Sequence, residues 1–272
     1  MPTQTEKSDA FRQLHERPGL FVMPNPWDIG TARILEGLGF EALATTSAGF
    51  AFSQGHRDYN MGREAVLEHC RTLVAATSRP LNADLENGFG DAPSAAAETI
   101  RLAIETGLAG GSIEDSTGRP ESPIYELPLA VERVHAAAEA ARQSGSAFVF
   151  TARCENYLHE RSDLADTIRR LQAYQDAGAD VLYAPGLKSA DDIAAVVRSV
   201  DRPINVLMGM PGINLSVGQL SAMGVKRIST GASLARAALG AFVRAAREMR
   251  DSGTSQFNDD AIPTREINSL LQ

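Results

Sequence analysis

Pro80-Leu81-Asn82-Ala83-Asp84-Leu85-Glu86-Asn87-Gly88-Phe89-Gly90 decides how the rest of this chain is read. A short apolar run ends in two acids and a pair of glycines. Side chains alternate along a strand, so Asn82, Asp84 and Glu86 are expected on one face. Two carboxylates two residues apart at a strand end can hold a hard divalent cation, directly or through its water shell. Gly88 and Gly90 let the chain turn away with no Cβ in the way. Taken alone, the pattern fits a strand ending in a solvated acidic turn better than a metal site. The ends of the other strands decide between the two.

Outward from that stretch the chain keeps one beat. On the N-terminal side, 20–23 reads as a strand stopped by Pro24 and Pro26. A helix over 28–38, a strand over 41–46, a polar loop over 47–59 and a helix over 63–77 follow. On the C-terminal side, strands at 111–114, 147–152, 180–183, 203–207 and 226–230 alternate with helices at 92–106, 128–143, 164–176, 191–200, 217–223 and 234–250. Residues 1–17 are polar, with a helical pattern over 8–17 expected to lie as a lid on one end of the fold. Gly39, Gly107, Gly178 and Gly224 each stand between a helix and a strand, the place of a C-capping glycine. Eight short apolar strands with helical cover predict a parallel α/β fold, and eight strands close a barrel. An open doubly wound sheet is the weaker alternative, because no G-x-G-x-x-G follows the first strand. The expected architecture is a (β/α)8 TIM-type barrel over 1–250 with a helical tail over 251–272, possible to exchange between subunits.

Composition agrees. The 272 residues suit one barrel of ~250. With 43% hydrophobic and 22% charged residues the chain reads as soluble and globular. Its net charge of −8, without a basic run, argues against a nucleic-acid partner. No stretch approaches the ~20 apolar residues of a membrane span, and residues 1–10 do not resemble a signal peptide. Cys70 and Cys154 form no disulfide framework and lack metal-ligand spacing, so a reduced cytoplasmic protein is expected.

In such a barrel the active site lies where the strands end. Strand two ends in Thr45-Thr46-Ser47 and its loop carries Asp58; strand three supplies Asp84 and Glu86; strand four supplies Glu114, with Asp115 next. Strand five puts Arg153 on the face of Val149 and Thr151, and strand seven carries Asn205. Gathering so many carboxylates is costly without a cation, since like charges raise one another's pKa. All-oxygen ligands with no His or Cys pair favour Mg²⁺ or Mn²⁺ over zinc. Arg153 can then take a substrate carboxylate in a bidentate fork. Cys154, next to Arg153, is expected to face away as an inert buried thiol. His56, His135 and His159 read as ordinary surface or core residues, and Tyr183 as packing rather than a proton donor.

The stretch from Asp84 to Gly90 resembles the D-x-D-x-G-Y-G signature of the isocitrate lyase and phosphoenolpyruvate mutase superfamily. Gly55-His56-Arg57-Asp58, Gly110-Gly111-Ser112-Ile113-Glu114-Asp115, Thr151-Ala152-Arg153 and Ala177-Gly178-Ala179-Asp180 match further motifs in the same order, so the likeness covers roughly residues 18–250. It implies that Asp84 binds Mg²⁺ directly and that Asp58, Glu86 and Glu114 bind it through water. It also implies that Thr46, Ser47 and Ala48 hold the carboxylate of an α-keto acid, mainly by backbone donors, with Arg153 completing the cradle. The superfamily's shared intermediate is a pyruvate enolate, whose developing charge the site must stabilise.

The chain departs from that pattern in one loop. Lyases of the superfamily carry a Lys-Cys-Gly-His type segment after strand four, and the phosphonate mutase carries Lys and Asn there. Here 116–123 reads Ser-Thr-Gly-Arg-Pro-Glu-Ser-Pro, without Cys, Lys or His. A lyase acting on a small α-keto or hydroxy diacid, by decarboxylation or C–C cleavage, is therefore expected over a phosphonomutase. Loss of CO₂ from a β-keto acid needs no base on that loop. A catalytically silent barrel that binds a keto acid is the remaining alternative. Beyond the breaker at 251–255, Ile262, Ile267, Leu270 and Leu271 form an apolar face with no obvious place on a closed barrel. Relatives exchange a C-terminal helix and form dimers of dimers, so the resemblance implies a homo-oligomer here.

Overall fold

The computed structural model describes residues 2–210 and 214–271. Its strands are β1 (Phe21–Met23), β2 (Leu43–Ala44), β3 (Leu81–Asp84), β4 (Gly110–Glu114), β5 (Val149–Arg153), β6 (Val181–Tyr183), β7 (Ile204–Leu207) and β8 (Arg227–Ser229). They pair in parallel in the order β1-β8-β7-β6-β5-β4-β3-β2. Between β1 and β2 the Ala44 amide donates to Pro24 O at 3.0 Å, and Asn25 Nδ2 donates to Thr45 O at 2.7 Å. Those bonds draw the two edges together, and the sheet becomes the expected barrel.

Outside it lie α2 (Ile29–Gly37), α4 (Arg63–Ala76), α5 (Pro93–Glu105), α6 (Leu127–Gln143), α7 (Leu164–Asp176), α8 (Ala190–Arg198), α9 (Val217–Ala222) and α10 (Ser233–Ser252). Alternation sets which residues meet them. On β5, Phe150 and Ala152 face the helical layer, while Val149, Thr151 and Arg153 face the barrel axis. The N-terminal end of the barrel is plugged by α1 (Gln4–Glu16), whose Phe11 and Leu14 pack on Phe21, Ala42, Val149 and Val181. A Cβ at Gly110 would come within 2.7 Å of the Phe11 ring, so β4 opens with glycine to admit the plug. Truncating Phe11 to alanine would cost about 3–5 kcal/mol at such a buried site. Among the described residues no helix is long and apolar enough to cross a membrane.

Two expectations need correction. The segment after β2 is not all loop: Ser47–Ser53 is a helix, α3, capped by Thr46 Oγ1, which accepts from Gly49 N at 3.3 Å. Ala48, Phe50 and Ala51 bury its inner face, and that apolar stripe with a threonine cap outweighs the glycine and serines around it. Nor does 251–255 break the helix from its start. α10 continues through Ser252 and stops at Gly253, which takes the left-handed conformation at φ 65°. Past a short 3₁₀ turn (Gln256–Asp260), α11 (Thr264–Leu270) lies against α2 of the same chain. By contrast α10 buries only Ala235 and leaves Phe242 69% exposed.

Candidate active site

At the C-terminal ends of the strands lies a cleft of about 170 Å³. Thr46, Ser47, Ala48, Asp58, Asp84, Arg153 and Asn205 all line it, so seven of the sequence-derived residues meet in one place. The ends of β2 and β3 are tied together beneath it. Asp84 N donates to Thr45 Oγ1 at 2.9 Å, and Ser47 N donates to Asp84 Oδ2 at 3.3 Å.

Arg153 organises the carboxylates. Its guanidinium reaches Asp84 Oδ1 at 2.9 Å, Glu114 Oε2 at 3.1 Å and Glu155 Oε1 at 2.9 Å. The face of the Tyr183 ring lies 5.2 Å away, so Tyr183 lines the site rather than the packed core. Glu155 escaped the sequence reading. The trace it leaves is its spacing: two residues beyond Arg153, on the same side. Burial pushes Glu155 up to about 7, against the pull of Arg153. Glu114 is 3% exposed, and burial holds it well above the ordinary carboxylate range despite Arg153. It stands behind Arg153 and accepts a hydrogen bond from the Tyr59 hydroxyl. Tyr59 itself sits at φ 61°, a conformation few non-glycine residues adopt.

Glu86 is not where simple alternation puts it. β3 ends at Asp84, and Glu86 turns into the left-handed region at φ 49°. Its side chain leaves the cleft lining for an adjoining groove with Tyr59 and Asn87. Its Oε1 is buried and has no hydrogen-bond partner among the described residues. Burial, then Asp84 and Asp58, push it up to about 8. Asp58 is raised by burial and by Asp84. Asp115 faces the other way: it accepts from Glu155 N at 2.8 Å and Tyr174 Oη at 2.6 Å, and pairs with Arg170 at 3.2 Å, a buried network behind the strands. Cys154 packs in the apolar layer, as expected. His159 Nε2 lies 3.1 Å from Ser116 Oγ, so the strand-four loop meets a histidine supplied by the segment after β5.

Among the described residues no three His, Cys, Asp or Glu side chains converge as a ready-made chelating group. The set still suits a hard cation. Asp84 raises the proton affinity of Asp58, Asp84 and Asp58 together raise that of Glu86, and the buried Glu86 Oε1 has no hydrogen-bond partner among the described residues.

A (β/α)8 barrel carries its active site at the C-terminal ends of its strands, and here that end is an acid-rich mouth built around one arginine. The model of the phosphoenolpyruvate phosphomutase family matches residues 11–250, and the chain belongs to that family. It is 62% identical to a Burkholderia cenocepacia J2315 protein provisionally classed as a lyase/mutase, with a TM-score of 0.95 over 97% of this chain and 95% of that one. The structure of an oxaloacetate acetylhydrolase in complex with its product oxalate is 25% identical, with a TM-score of 0.87 over 99% of this chain and 95% of the other. The oxaloacetate decarboxylase of Chromohalobacter salexigens is 25% identical over 272 residues, 97% of this chain and 92% of its own. The chain thus stands among lyases and mutases.

Proposed function

We propose that the protein is a cytoplasmic Mg²⁺-dependent (or Mn²⁺-dependent) lyase that cleaves or decarboxylates a small α-keto or hydroxy diacid through a pyruvate-type enolate. The observation that carries this is the mouth itself: three carboxylates on Arg153, and beside them Asp58 and a Glu86 whose buried Oε1 has no partner among the described residues. Asp84 would hold the metal directly, and Asp58, Glu86 and Glu114 through water. The metal would supply the positive charge that accepts a developing enolate. Thr46, Ser47 and Ala48 bind the substrate carboxylate by backbone donors. Arg153 orients that carboxylate, Glu114 fixes Arg153, and Asn205 bounds the far wall. Ser116 to Pro123 offer no Cys, Lys or His, which favours chemistry that needs no base from that loop. The named activities of the two 25%-identical relatives, both acting on oxaloacetate, support the same substrate class.

The working form in this proposal is a homo-oligomer, a dimer of dimers. Leu239, Phe242, Val243 and Met249 expose an apolar stripe along α10, and a second copy of the chain would cover it. The deciding assay is a panel of oxaloacetate, isocitrate-like diacids and phosphonopyruvate, with and without Mg²⁺. Turnover of the first two that stops on chelation supports the proposal. Turnover of phosphonopyruvate alone moves the protein to the phosphonomutases.

A further inference from the structure

Arg227 lies in the floor of the same cleft and takes no part in the chemistry above. It is 1% exposed, yet no carboxylate pairs with it among the described residues. Its Nε donates to Asn205 Oδ1 at 2.9 Å and its Nη2 to Thr151 Oγ1 at 3.0 Å, while Nη1 lies 3.3 Å from His15 Nε2. Asn205 is pinned in turn by its Nδ2, which donates to Ser229 Oγ at 2.9 Å. A guanidinium has five N–H donors, so three contacts leave two of them without an acceptor among the described residues. Burying a cation with only neutral partners is costly, and burial alone pushes Arg227 down to about 9. It therefore stays charged at neutral pH, and an anion in the cleft would relieve that cost.

The position matches a second anion site. Thr151, which holds Arg227, stands two residues before Arg153 on the inward face of β5, about 7 Å back along the strand. Both guanidinium groups line one cavity. Asn82, also in its lining, holds a buried Oδ1 with no partner among the described residues, and so offers an acceptor to a hydroxyl or water of a bound ligand.

We propose that Arg227, held by Asn205 and Thr151, is a second anion-binding subsite that seats the distal carboxylate of a dicarboxylic substrate. This deepens the reading above and rests on it in one respect, that the keto-acid end occupies the mouth. The subsite makes the cleft selective for a ligand with anionic groups at both ends. Oxalate is too short to reach the floor and reports on the mouth alone.

The test is calorimetric binding to the full-length protein with Mg²⁺, using oxalate, malate and malate 4-amide. Parent protein should bind the amide at least about tenfold more weakly than malate. Arg227→Met should weaken malate by a similar factor and leave oxalate within about twofold. Equal binding of malate and its amide by the parent overturns the subsite, as does no malate binding at all. Equal weakening of oxalate and malate in Arg227→Met also overturns it, since Arg227 would then act only on the general structure. Should that variant not fold, the comparison on the parent decides alone. Absence of Mg²⁺-dependent oxalate binding would instead strike at the function proposed for the mouth.

Discussion

Arg153 and Arg227 line one cleft and have opposite surroundings. Arg153 is ringed by Asp84, Glu114 and Glu155, and further acids stand beyond them. Arg227 meets an amide, a hydroxyl and an imidazole. Both arrangements hold the guanidinium in place. They leave opposite electrostatic residues: excess negative charge at the mouth and an uncompensated positive charge at the floor. The mouth is short of a cation and the floor short of an anion. A ligand that brings a metal ion to the upper end and a carboxylate to the lower one answers both.

The comparison is broken most sharply at Asp84. Asp84→Ala should lower activity and Mg²⁺ affinity by more than ~100-fold, above the usual cost of an outer-shell partner, and leave the circular dichroism spectrum and melting curve intact. Undiminished metal binding in a titration of that variant would mean that the excess charge at the mouth serves something else.

Arg153→Lys tests the fork at the upper end. Lysine keeps the charge and loses the paired donors, so inhibition by oxalate should weaken by about tenfold or more. An unchanged inhibition constant would show that Arg153 acts on the carboxylates around it and not on the ligand.

A smaller effect comes from Glu86, whose folded pKa is raised from 4.5 to about 8. The folded protein then holds a proton that the unfolded chain releases between those values. Stability of the metal-free protein should therefore fall as pH rises from about 4.5 toward 8. Glu86→Gln should make that slope shallower, the remainder coming from Glu114 and Glu155, and gain roughly 2 kcal/mol near pH 8, as read by urea denaturation. Mg²⁺ should flatten the parent's profile in the same way. A parent profile that rises through this window would refute the crowding of Asp58, Asp84 and Glu86.

The smallest effect on either arginine is expected from the outer surface. Phe242→Asp should shift light scattering toward smaller species and change Mg²⁺ affinity by no more than about twofold. A large loss of affinity on dissociation would place part of the mouth on a neighbouring subunit.

Much of this barrel was legible without coordinates, because its rules are local. Strand alternation, capping glycines and the count of strand–helix units predicted the eight-stranded fold, and α7 falls on Leu164–Asp176 as read. Strand ends also pointed to Asp84, Arg153, Asn205, Thr46 and Ser47, and the family resemblance to Ala48, all of which meet in the cleft. Local rules stop where the strand stops. Glu86 departs from its face because the chain beyond Asp84 turns into a positive φ, and Asp115 faces outward because it is one residue out of phase with Glu114. The segment at 47–53 read as a loop because seven residues carry too little periodicity to declare a helix.

Composition, periodicity and the motif from Asp84 to Gly90 by themselves determined the class of fold, the family and the end of the barrel where the candidate site lies. Only the tertiary structure decided the partners: Glu155 and Glu114 on Arg153, Tyr59 on Glu114, and Arg227 reaching across to Thr151, 76 residues away in sequence. The physical reason is that charge compensation is a property of space. Which ions are neutralised and which are left over depends on side chains that closure of the barrel brings together, and no spacing along the chain encodes that balance.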